Sequence, residues 1–113
     1  MNWIKLTNSA DLNSIKKESQ NELIMIFKQS TRCSISAMVL NRLERSWSQE
    51  ELSNVRPYYL DLLQNRELSN QIANEFDVLH QSPQVLMLRN GEVVYHDSHM
   101  NISYDSIKEV VKN

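Results

Sequence analysis

The chain has a single cysteine, Cys33, and the residues around it constrain the fold more than any other stretch. Leu23-Ile24-Met25-Ile26-Phe27 is a continuous apolar run, short enough for a strand buried on both faces. Ser30-Thr31-Arg32-Cys33-Ser34-Ile35-Ser36 follows it. Further on, Ile35, Met38, Val39, Leu43 and Trp47 recur at roughly helical spacing. That spacing predicts a helix from about Cys33 to Trp47 with the stripe turned inward. Cys33 therefore falls where a strand has ended and a helix begins. The first turn of a helix carries N–H groups with no intrahelical partner, together with the positive end of the macrodipole. Both favour a thiolate over a thiol, and the thiolate is the nucleophile. Two readings of Cys33 stay open, an inert core thiol and a reactive one, and its placement favours the second. Arg32 supplies another cation if its side chain turns towards the sulfur.

The rest of the chain alternates between the two periodicities. Trp3 to Leu6 predicts a short edge strand. Thr7, Asn8 and Ser9 are cap-type residues, and Leu12 and Ile15 predict a first helix running to about Ser19. The central strand extends from Glu22 to Lys28. A polar connector, Gln49 to Asn54, is punctuated by Pro57, after which Tyr58 to Leu63 reads as a second inner strand. Arg66 to Phe76 places Leu68, Ile72 and Phe76 four residues apart, a helix with one buried stripe. Val85–Leu88 and Val93–Tyr95 are strands joined by Asn90-Gly91, the strongest short hairpin signal in the chain. Ser103 can cap a last helix with Ile107, Val110 and Val111 inside. The order β-α-β-α-β-α-β-β-α predicts an α/β fold: a mixed sheet of four or five strands, helices on both faces, one domain over residues 1–113.

Composition narrows the function classes. A chain of 113 residues can bury a core without disulfide or metal staples. One cysteine cannot form an internal disulfide, which fits a reducing compartment. No run approaches the roughly 18 apolar residues of a membrane span, and Met1-Asn2-Trp3-Ile4-Lys5 lacks the pattern of a secretory signal. A cytoplasmic protein with no membrane partner is expected. The net charge of −2, from 12 basic and 14 acidic residues, offers no basic stripe for nucleic acid. His80, His96 and His99 have neither a second cysteine nor a helical register that pairs two of them, so no metal site is expected.

A strand, a short loop and Cys-x-x-Cys opening a helix is the thioredoxin pattern. Here Ser36 stands in the second cysteine position, giving Cys33-Ser34-Ile35-Ser36, which is similar to the monothiol branch of that superfamily. Ser-Thr-Arg-Cys-Ser-Ile-Ser more closely resembles the YtxJ-type bacilliredoxins, whose typical motif is Thr-Cys-Pro-Ile-Ser. The chain departs from it at Ser34, where the family usually has proline, and carries Arg32 before the cysteine. The stretch from Val94 to His99 also resembles a His-x-Ser-His segment of that family, with no role that the residues themselves reveal.

The resemblance implies a thioredoxin-like fold covering most of the chain. It also implies that Pro83, in Gln81-Ser82-Pro83-Gln84, is the cis-proline facing the reactive cysteine. Proline has no N–H, and a cis X-Pro bond costs only about 0.5–1 kcal/mol. The backbone of Ser82 would then face outward and pair with an incoming chain as a short strand. Without the resemblance, Pro83 reads as a proline that merely begins a strand, which is the commoner case.

The implied activity is monothiol thiol–disulfide exchange. Cys33 would take a low-molecular-weight thiol from mixed disulfides on client proteins, with Ser36, Arg32 and Ser34 in supporting roles. The Ser36 hydroxyl either donates to the thiolate or is an ordinary helix N-terminal residue. No cofactor is expected to stay bound. Bacillithiol or a similar thiol would be the co-substrate, and glutathione or coenzyme A would suit the same charges. Three other classes remain open: a thioredoxin-fold stress or adaptor protein without turnover, an iron–sulfur carrier of the monothiol-glutaredoxin kind, and a glutaredoxin-like arsenate reductase. The carriers typically show Cys-Gly-Phe-Ser, which this chain lacks. A glutaredoxin-like arsenate reductase, suggested by Arg32-Cys33-Ser34, normally has its cysteine after the first strand, whereas here a strand and a helix come first.

Overall fold

The computed structural model describes residues 2–30 and 34–112. Cys33 and Arg32, the centre of the sequence argument, lie outside the described residues, as does Thr31. The chain forms β1 (Ile4–Lys5), α1 (Ser9–Glu18), β2 (Leu23–Gln29), α2 (Ser34–Ser46), β3 (Val55–Asp61), α3 (Arg66–Phe76), β4 (Gln84–Arg89), β5 (Glu92–Ser98), a 3-10 turn (His99–Asn101) and α4 (Tyr104–Lys112).

The five strands make one sheet in the order β1-β3-β2-β4-β5. β1, β3 and β2 run parallel, while β4 and β5 are antiparallel to their neighbours. Central β2 is buried along its whole length, which explains its unbroken apolar sequence: both of its faces are covered. Ile24 and Ile26 join Leu12 and Ile15 of α1 and Leu68 and Ile72 of α3 on one side. Met25 and Phe27 join Val39 and Leu43 of α2 and Ile107 of α4 on the other. Asn90 and Gly91 both have positive φ, 55° and 77°, the geometry that the tightest hairpin turns require.

Three expectations are corrected. Pro57 does not punctuate a connector; it sits inside β3, opposite Met25 of β2. The carbonyl of Tyr59 accepts from the Leu6 N–H, so that residue points its backbone towards β1. Pro57, two residues earlier, points the same way, where β1 does not reach, and its missing N–H breaks no ladder bond. In α2 the expected stripe is only half right. Val39 and Leu43 are buried, but Ile35 and Met38 are each 49% exposed, and Ser36 occupies the buried position. Trp47 falls beyond the end of α2 and stacks edge-on against Tyr104.

Candidate functional site

β2 leads into the 31–33 segment, and α2 leads out of it. Ser34 is the first residue of α2 and is exposed. Ser36 is fully buried, and its Oγ accepts a hydrogen bond from the Ser30 N–H at 3.2 Å. The last described residue before the cysteine segment is thus fastened to the first turn of α2 after it. Among the described residues, no acceptor takes the Ser36 hydroxyl proton.

Pro83 immediately precedes β4, and the Ser82–Pro83 peptide is cis. Lys28 of β2 pairs with Gln84 of β4, and continuing that antiparallel register one step sets Gln29 across from Pro83. The exit of β2 and the entry of β4 therefore lie side by side at one end of the sheet. Among the described residues, neither the N–H nor the C=O of Ser82 has a hydrogen-bond partner. The carbonyl of Pro83 accepts from the His99 N–H at 2.9 Å.

This end of the sheet has a polar interior that the sequence reading missed. Lys28 is fully buried and donates to the carbonyl of Ser69 in α3 at 3.2 Å. Burial pulls its ammonium down from 10.5 to about 8, because removing a cation from water disfavours its charged form. Ser69 Oγ lies 3.2 Å from His80 Nδ1, and burial, then Lys28 and Arg66, lower the pKa of that imidazole too. Gln84 donates to the Leu79 carbonyl. Its Oε1, with Gln29 Oε1 and Ser82 Oγ, is buried without a hydrogen-bond partner. Most buried polar atoms are paired, so a concentration of unpaired ones beside the β2–α2 junction distinguishes this end of the core. A lysine closing an apolar strand was the available signal.

Clefts of about 450 and 530 Å3 occur elsewhere, one between Thr7–Ser9 and Leu63–Leu68, the other along Asn70–His80; neither is lined by Ser36, Ser82 or Pro83. Among the described residues, no three His, Asp or Glu side chains gather to hold a metal ion, and no helix is long and apolar enough to cross a membrane.

A mixed sheet with parallel β1, β3 and β2, a closing hairpin, and a cis-proline beside the strand-to-helix junction define a thioredoxin-fold thiol oxidoreductase. Solved structures agree. A candidate oxidoreductase with a thioredoxin fold superposes with a TM-score of 0.81 and 30% sequence identity, over 96% of this chain and 92% of that one. Thioredoxin from Trypanosoma brucei brucei gives a TM-score of 0.77 at 18% identity over 99% and 93%. Thioredoxin from Malassezia sympodialis gives 0.76 at 10% over 98% and 89%. These last two share the fold alone. The chain belongs to the monothiol bacilliredoxin family: the profile described as monothiol bacilliredoxin BrxC matches residues 4–107.

Proposed function

We propose that this protein removes a low-molecular-weight thiol from mixed disulfides on client proteins, with Cys33 as nucleophile. The observation that carries the reading is Ser36. The position a resolving cysteine would take holds a buried hydroxyl bonded to Ser30, and Cys33 is the chain's one sulfhydryl. A bound client cannot be expelled by closing an internal disulfide.

Two exchanges complete the cycle. The Cys33 thiolate attacks the small-thiol sulfur of the client's mixed disulfide. The new S–S bond joins Cys33 to the small thiol, and the client cysteine leaves as a thiolate that takes a proton from water. A second small thiolate then attacks the small-thiol sulfur on Cys33. This produces the symmetric small disulfide and restores the Cys33 thiolate. The number of disulfides is unchanged overall: the incoming small thiol is oxidised to the disulfide level as the client sulfur returns to the thiol level, and the small thiol taken from the client stays at the disulfide level throughout.

In this reading Ser36 donates its O–H to the thiolate, Arg32 and Ser34 support the charge, and Ser82 and Pro83 receive the client backbone. The unpaired backbone groups of Ser82 support that last role. Bacillithiol is the thiol that the family membership suggests. Incubating a bacillithiol-modified client with the protein tests the proposal: mass spectrometry should find the small thiol on Cys33 and a free client cysteine.

A further inference from the structure

His96-Asp97-Ser98-His99 has no place in the mechanism above. Yet its last residue touches the segment assigned to the client. The β4–β5 ladder ends at Gln84 and Ser98, and His99 lies one step beyond. Its backbone N–H donates to the Pro83 carbonyl at 2.9 Å. Its Nε2 sits 3.0 Å from Gln81 Oε1, a hydrogen bond in the tautomer that protonates Nε2. One residue thus grips the chain on either side of Ser82.

The grip is anchored from behind. His99 has φ +56°, a left-handed conformation uncommon outside glycine although less so for histidine. That turn carries the chain from β5 into the 3-10 turn. Arg42 of α2 then donates to the carbonyls of Met100 and Ile102 at 3.1 and 2.6 Å. The helix that follows Cys33 and the segment around Ser82 are therefore held to one another through the residues around His99.

We infer that His99 is a positioning residue: its imidazole holds Gln81, and its backbone holds Pro83, so that Ser82 is preset to receive the client. The inference rests on the reading of Ser82 and Pro83 given above. The His99–Gln81 bond is exposed, where water replaces a lost partner readily. Its loss should change global stability little and loosen the 81–83 segment.

The test compares wild type, His99→Ala, His99→Gln and Gln81→Ala in two assays. The first follows saturation kinetics of thiol transfer from a bacillithiol-modified client. His99→Ala should raise KM about 2- to 10-fold, the effect of one ordinary hydrogen bond, with kcat unchanged. Alkylation of Cys33 by iodoacetamide, which needs no platform, should also be unchanged. Glutamine can donate to Gln81 and should restore KM. Gln81→Ala should match His99→Ala, and the double variant should add nothing further. The second assay follows amide exchange by NMR, in which His99→Ala should speed exchange at Gln81 and Ser82 but not along Val85–Leu88. An unchanged KM, or a glutamine that fails to rescue, overturns the positioning role. A wild type that transfers nothing overturns the thiol-transfer reading instead, and the exchange assay then decides whether His99 orders the segment: unchanged exchange removes that as well.

Discussion

The buried hydroxyl of Ser36 accepts the backbone N–H of Ser30 at 3.2 Å, joining the end of β2 to the first turn of α2 across the cysteine segment. This bond fixes the two ends between which Cys33 is held. It also polarises the hydroxyl, since an oxygen that accepts a hydrogen bond becomes a better donor.

Ser36→Ala tests both roles of that hydroxyl. The Ser30 N–H loses its acceptor, and the fold should weaken by about 1 kcal/mol. If the O–H also supports the thiolate, the pH midpoint for iodoacetamide labelling of Cys33 should rise above that of wild type. A weaker fold with an unmoved midpoint would restrict Ser36 to anchoring the loop.

Ser36→Cys restores a second sulfur three residues after the first. The variant should discharge a client from Cys33 unaided, provided the two sulfurs reach bonding geometry. Given a client oxidised to a protein disulfide, with no small thiol on it, wild type should instead hold that client as a one-to-one mixed disulfide until a small thiol is added, with a release rate proportional to that thiol's concentration. Gel mobility under non-reducing conditions reports both. Spontaneous release from wild type would contradict a monothiol cycle.

Lys28 makes a prediction about pH. Its folded pKa, about 8, lies below its ordinary value of 10.5. Between these values the unfolded chain binds the proton and the folded one does not, so this residue makes stability rise with pH from about 8 to 10.5. Below 8 its buried charge costs a constant roughly 3 kcal/mol. That cost comes from burial, and the Ser69 carbonyl, which accepts from the ammonium, reduces it. Lys28→Met should be more stable than wild type at pH 7, and the gap should close towards pH 10.5. Tyr58, pushed up to about 12 by burial and the Glu18 carboxylate, acts with the opposite sign above pH 10 and cancels in this difference. Denaturant unfolding at pH 7, 9 and 10.5 measures it; parallel curves would contradict the assignment.

Local pattern revealed most of the fold. The Leu23–Phe27 run identified the central strand because a strand covered on both sides needs no polar alternation. Asn90-Gly91 identified the hairpin because both positions require positive φ. Pro57 misled because its tolerance depends on where a neighbouring strand stops, which is not a local property. Ile35 and Met38 misled because helical spacing over so few residues fits more than one face, and the structure turns Ser36 inward instead.

The site was less legible. The cis bond at Pro83 followed from the family resemblance and not from the residues. The buried amine of Lys28 went unread because nothing local indicates that α3 covers it. The contacts of His99 with Gln81 and Pro83 bridge 18 and 16 residues of sequence and exist only once β4 and β5 have paired.

The central claim is that Cys33 takes a small thiol from a client and returns a free client cysteine. The most direct measurement mixes an excess of the protein with a client modified by bacillithiol, and in parallel with one modified by glutathione, then reads both partners by intact-mass spectrometry. The account predicts that the small thiol's mass appears on Cys33 as it disappears from the client, and that Cys33→Ser abolishes the transfer. An unmodified Cys33 with both clients, while the same thiol still alkylates readily, would contradict the account and leave a thioredoxin-fold adaptor without turnover.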